Sequence, residues 1–264
     1  MRLTITHTTQ YSYDSPVDYA LQQVRLTPHD TSQQKIHSWQ VDIEGGRSEL
    51  TYSDQYDNHT MLVSMVPGSH SLKMMASGEV ETLSTTGILG PVYGKAPLWH
   101  FVQPSELTMP GKGIRKLARV IDHSDLLASL HDLSAEICRM VTYESGKTWS
   151  TTSAEEALQG GHGVCQDHAQ IFIAAARLAG IPARYVSGYL MMNDRIDQDA
   201  SHAWTEAHID GLGWVGFDVS NGISPDERYV RIATGLDYRG AAPVSGMRLG
   251  TSGESMIVSV QVQQ

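Results

Sequence analysis

From Met1 to about Gln103, apolar residues fall at alternate positions, as in "LTITHTTQYSY", "KIHSWQVDIEG" and "TMLVSMVPG", broken by the turn signals "DSP", "EGG" and "PGS". Successive side chains of a strand point to opposite faces, so this rhythm predicts an antiparallel sheet or sandwich with one face of each strand buried. Between Leu89 and Pro110 the chain turns rich in Pro and Gly, which predicts a linker. Beyond it the spacing lengthens to three and four. "IRKLARVID" and "LSAEICRMV" predict helices, and "TSAEEAL" offers Ser153 and Glu156 as a capping box. "CQDHAQIFIAAARLAG" is apolar almost all round, the mark of a central buried helix, which Gly180 and Pro182 end. "ARYVSGYL", "HAWTEAHI" and "GWVGFDVS" then predict three strands, with Asp210 and Gly211 as the tight turn between the last two. "SMIVSVQVQ", near the end, is a further strand, placed to rejoin a sheet.

Composition narrows the class. With 264 residues, 41% hydrophobic and 18% charged, the chain affords a large core and one or two domains. Lys+Arg 19 against Asp+Glu 29 gives a formal charge of -10, which excludes nucleic acid and anionic membrane as expected partners, since both demand a basic surface. "MRLTITHTTQYSYDSP" lacks the basic head and continuous apolar stretch of a signal peptide, and no segment nears the roughly 20 apolar residues that span a bilayer. A soluble, cytoplasmic protein is expected, in which Cys138 and Cys165 stay reduced as free thiols. Nothing in the pattern asks for a cofactor.

The two cysteines sit differently. Cys138 lies inside a predicted helix and reads as a small core hydrophobe. Cys165, in "GHGVCQDHAQ", begins the buried helix, where unpaired backbone N–H groups and the positive dipole end stabilise an anion, and the thiolate is the nucleophilic form. A thiol nucleophile needs a base, and the base an orienting acceptor. His202 begins one strand and Asp218 ends the next; in an antiparallel hairpin these become cross-strand neighbours. A zinc site is the rival, because His162, Cys165 and His168 stand three apart, but residues so spaced drift around a helix. Asp167 reads as a first-turn carboxylate favoured by the dipole. Trp204 and Trp214 read as pocket walls or core, and His208 lies too far along its strand to replace His202.

"GHGVCQDHAQIFIAAARLAGIPARYVSGYL" followed by "SHAWTEAHIDGLGWVGFDVSNG" resembles the core of the transglutaminase-like superfamily. The resemblance implies a Cys-His-Asp triad in chain order: Cys165 from "GVCxD", His202 from "HAW" and Asp218 from "GWxxFD". "HTTQYSYDSPV", "DQYDNHT" and "GLDYRGAAPVSG" are similar to bacterial members that carry an N-terminal β-domain. The implied fold is α+β: an antiparallel β-sandwich over 1–103, then a papain-like core of helices packed on an antiparallel sheet over 104–264, its last strand at about 254–263 free to rejoin a sheet. The implied activity is acyl transfer on a peptide or glutamine-type amide through a thioester, with hydrolysis by a cysteine peptidase or amidase ahead of amine transfer by a transglutaminase. A non-enzymatic binding or zinc-binding module is the other reading. The sequence departs from the family after "CQD", where His168 and then Gln170 replace an aromatic residue and a His. Tyr143 and Trp149 carry donors that would suit an oxyanion, although packing is the plainer reading of each.

Overall fold

The computed structural model describes residues 1–91, 94–250 and 253–264; Val92 and Tyr93 of the expected linker, and Thr251 and Ser252 of the tail, lie outside the described residues. Six strands open the chain: β1 (Arg2–Val17), β2 (Ala20–Thr27), β3 (Gln34–Glu44), β4 (Gly46–Ser53), β5 (His59–Met65) and β6 (Ser69–Thr82). Alternation decides their faces. In β1, Leu3, Ile5, His7, Thr9, Tyr11 and Tyr13 are buried while the residues between them are not. A short β7 (Ile88–Gly90) follows, then α1 (Lys112–Leu117), α2 (Leu126–Met140), β8 (Thr142–Tyr143), α3 (Ala154–Gly160), β9 (His162–Gly163) and α4 (Cys165–Leu178). Ser153 and Glu156 form the expected capping box at the start of α3. The chain continues through β10 (Ala183–Leu190), β11 (Asp197–Gln198), β12 (His202–Ile209), β13 (Gly213–Phe217), β14 (Tyr229–Gly235), α5 (Tyr238–Ala241), β15 (Val244–Arg248) and β16 (Glu254–Gln263).

Two sheets, in the orders β11-β16-β1-β6-β3 and β15-β2-β5-β4, share a core built on residues such as Leu3, Ile5, Val24, Val63, Leu72 and Val80. A third, in the order β14-β10-β12-β13-β7, carries α4 against β12 and β10. This is an α+β architecture dominated by antiparallel sheets. The second core, beneath α4, gathers Leu130, Ile137, Ile171, Phe172, Ile173 and Phe217. No described helix is long and apolar enough to cross a membrane.

The halves exchange strands. β16 lies antiparallel to β1 from Thr4↔Gln263 to Tyr13↔Glu254, β15 lies on β2, and β7 lies on β13. A division at residue 103 follows composition, while hydrogen bonding runs across it in both directions. An alternating pattern specifies a strand and its buried face but not its partner.

The unpaired edge of the outer strand β14 is closed by two side-chain amides. Gln34 donates Nε2–H to the Arg231 carbonyl (2.9 Å) and accepts the Arg231 N–H (2.8 Å); Asn58 does the same at Thr234 (2.7 and 2.8 Å). Each amide stands in for a missing neighbour strand, satisfying donors and acceptors that a bare edge would leave open. Asp54 holds Asn58 for this task by accepting from its backbone N–H (3.0 Å) and Nδ2 (2.9 Å). The "DQYDNHT" motif is therefore a latch between the halves. Nearby, Glu206 is buried between two buried guanidiniums, bonded to Arg184 Nε at 2.7 Å and paired with Arg231, and Arg184 stacks over Trp214 at 4.0 Å.

Candidate active site

Cys165 is the first residue of α4 and is half-buried, at the end of the helix where the backbone N–H groups have no preceding turn to bond. Asp167 secures that turn, its Oδ2 accepting from the Val164 N–H (2.8 Å) and the Thr148 hydroxyl (2.7 Å). The space left by Gly163 belongs to this carboxylate rather than to a substrate, for a Cβ there would lie 2.7 Å from the Asp167 Cβ. Burial pushes the Asp167 carboxyl up, against its hydrogen bonds.

His202 opens β12 and Asp218 follows β13. The hairpin ladder ends at Thr205↔Phe217, so continuing it by one step would oppose Asp218 to Trp204 and leave His202 on the diagonal, two positions on and on the same face. Nε2 of His202 lies 2.6 Å from Asp218 Oδ2. The same carboxylate accepts from Asn221 Nδ2 (2.7 Å), the Tyr229 hydroxyl (2.7 Å) and, through Oδ1, the Asn221 N–H (3.3 Å). With Nε2 so engaged, Nδ1 is the nitrogen left to face the Cys165 thiol, which lines the same cleft as His202. The Trp204 ring stacks on the imidazole at 6.3 Å, and it fits because Gly188 faces it: a Cβ at 188 would fall 2.5 Å from that ring. Asn221 and Tyr229 were not singled out from the sequence. Asn221 lies in the "DVSNG" turn, whose sequence carries no sign of this role, and Tyr229 lies on a strand that local pattern does not bring to Asp218.

Charge in the site is set by pairing in a dry environment. Burial opposes a proton on His202, but the charge and hydrogen bond of Asp218, with Cys165 behind them, outweigh it and push the imidazole up to about 10 from 6.5. Burial likewise raises Asp218, and the His202, Asn221 and Tyr229 contacts override it, holding the carboxyl below its ordinary 3.8. Because the folded pKa of His202 lies above the unfolded one, its contribution to stability is full below about pH 6.5 and is lost as pH rises through about 10. The gap in thermal midpoint between the native chain and a His202→Gln variant is accordingly expected to narrow over that range. A gap that stayed constant would mean a neutral imidazole in the fold.

Other residues fall into place around this core. Cys138 is not core: it is exposed on α2, where Ile137 takes the inward position, and its thiol donates to the Val219 carbonyl (2.6 Å). Burial of the sulfur, and then Asp218, push that thiol up. His168 is fixed between the Val141 carbonyl (3.0 Å) and the Ser220 hydroxyl (2.9 Å), and His162 pairs with Glu144 (2.8 Å), so the expected spacing of three joins no metal-ligand cluster among the described residues. Gln170 is fully buried with neither side-chain polar atom bonded among the described residues. Trp214 and His208 pack on each other, away from His202. Tyr143 lines the cleft that holds Cys165, whereas Trp149 lines a different one.

That cleft is about 460 Å³. Cys165, Val164, His202, Tyr143, Ser145, Ser220 and Asn221 line it, together with Met192, Arg195 and a wall of residues 197–201. The 197–201 wall is itself anchored: β11 pairs with β16 through Asp197↔Gln261 and Gln198↔Val260.

Comparison with known proteins covers both halves. Residues 115–219 match the model of the Transglutaminase-like superfamily, and residues 3–81 match that of the Bacterial transglutaminase-like N-terminal region. An uncharacterized protein of Mycobacterium tuberculosis is 28% identical over 293 residues, spanning 99% of this chain and 91% of its own; one of Mycobacterium leprae is 26% identical over 275 residues, spanning 99% and 98%. A protein of Cytophaga hutchinsonii, proposed to be a cysteine protease, shares the fold with a TM-score of 0.79 at 23% identity, over 100% of this chain and 91% of that one.

Proposed function

Because the chain belongs to the transglutaminase-like superfamily, a setting for cysteine-dependent acyl transfer, we propose that it hydrolyses peptide or glutamine-type amides with Cys165, His202 and Asp218 as its triad. The observation that carries this reading is the buried His202–Asp218 contact of 2.6 Å beside a thiol at a helix start that opens to a cleft. Cys165 Sγ attacks the carbonyl carbon while its proton is held at His202 Nδ1. The oxyanion is met by the Cys165 N–H at the head of α4, with Tyr143 in the same cleft. His202 then passes its proton to the leaving amine as the C–N bond breaks, which leaves a thioester. In the second half, His202 takes a proton from water as oxygen bonds to the acyl carbon, and the C–S bond breaks. Polar lining by Arg195, Asp197, Asp199 and Asn221 favours water as the acceptor.

Incubation with a glutamine-peptide library, with and without a primary amine, and analysis by mass is the test. Hydrolysis products in both are expected, and none with Cys165→Ala; amine adducts would replace hydrolysis by transglutamination, and absence of any turnover would support a binding module. The thiols offer a second check. Iodoacetamide at pH 7 should label Cys165 faster than the more exposed Cys138, and His202→Ala should slow Cys165 alone; equal rates at the two cysteines would remove the activated nucleophile.

A further inference from the structure

Two of the motifs first seen at the ends of the chain, "HTTQYSYDSPV" and "GLDYRGAAPVSG", converge on a groove of about 730 Å³ that the triad does not use. Residues of both N-terminal sheets and of α5 line it. Tyr11, Leu21, Leu62, Val244, Met247 and Met256 line it, with Ser150 and Thr151 reaching in from the loop before α3. Met247 and Met256 are exposed (60% and 56%), so the groove presents apolar surface in a chain of formal charge -10. The charges at its rim are already matched, Arg239 to Glu106 and Arg248 to Glu254. That leaves an occupant little to gain by being ionic.

Two routes through the fold connect the groove with the Cys165 cleft, although their linings share no residue. Tyr238 lines it, packs on Tyr185 at 6.1 Å between ring centres, and has its hydroxyl pushed up by burial and then by Cys165. Along the other route runs β16. At Val260 and Gln261 the strand holds the wall of the cleft through β11, and at Glu254 and Met256 it lines the groove. On the β11 side, residues 254–259 carry no strand pairing among the described residues. Val260 to Met256 is about 14 Å of strand, so an extended segment laid on this edge runs from cleft to groove within roughly five residues.

We propose that the groove is the subsite for a large apolar side chain of an extended peptide substrate whose reacting carbonyl lies at Cys165. This rests on the peptide hydrolysis proposed above. The open edge of β16 offers main-chain hydrogen bonds to a strand of any sequence, while the groove supplies the side-chain preference. Methionine lining suits this task, being flexible enough to fit aliphatic and aromatic side chains alike.

Equilibrium binding to the full-length Cys165→Ala protein reads this without chemistry. The probes are labelled, acetylated peptides with a central Gln in a Gly/Ser background, through which a single Phe is walked position by position. One position is expected at which Phe tightens Kd about tenfold or more over Gly, and that gain should vanish when Met247→Gln and Met256→Gln are added. Both methionines are exposed, and an unchanged melting midpoint would show that the fold is kept. A Kd indifferent to Phe at every position, or a gain that survives both substitutions, would overturn the proposal. The same peptides given to the native chain separate the two readings: a Phe gain sensitive to the methionines, without turnover, would keep the groove and discard the hydrolase.

Discussion

Asp218→Asn is expected to lower turnover roughly 10⁴-fold while leaving the fold in place. The exchange preserves volume but replaces the Oδ2 acceptor, which receives His202 Nε2, Asn221 Nδ2 and the Tyr229 hydroxyl, with a group that includes two donors. If the new amide donates to Nε2, the remaining imidazole proton moves to Nδ1, the nitrogen that must accept from Cys165. The base is then in the wrong tautomer and has lost the charge that kept it protonated. Steady-state kcat and kcat/KM should fall together, because Asp218 acts on the base and does not line the cleft that binds substrate. Alkylation of Cys165 at pH 7 should slow in parallel, and a variant with native kinetics would remove Asp218 from the triad.

Glu206→Ala should be strongly destabilising, at about 3–5 kcal/mol. The carboxylate is buried between the buried guanidiniums of Arg184 and Arg231. Truncating it removes a carboxylate that both buried guanidiniums contact, where water does not replace it. Denaturant melts should show the midpoint fall with little change in slope. Glu106→Ala breaks an exposed pair with Arg239 and is expected to leave the midpoint where it was. Comparable losses in the two variants would mean that Glu206 is not compensating buried charge.

Local pattern explains what the sequence disclosed. The alternation in β1 and the all-round apolar surface of α4 are set by each element's own surroundings, so both were legible, as was the Ser153–Glu156 box. Cys165, His202 and Asp218 were legible for a similar reason: a helix start and a short hairpin are local objects, and the structure brings the three side chains together. The diagonal placement of His202 was not, because the ladder register depends on how the loop at 210–212 is taken up. Arg184, Glu206 and Arg231 were invisible as a group. Each sits where a one-sided sheet would show a polar face to water, and only the covering halves turn those positions into an interior. Cys138 misled because its apolar neighbours suggested the core, yet one residue of helix is a turn of about 100°, and Ile137 claims the inward position.

The pairing of Thr4 with Gln263 joins positions nearly the whole 264-residue chain apart. Contacts of such separation carry a large loop-closure cost and form late. Asp197 and Gln198 take their places on β16, a strand that lies well C-terminal to them. That part of the Cys165 cleft therefore forms only once β16 has docked, so a chain with this strand undocked presents its thiol without the surface that would hold a substrate against it.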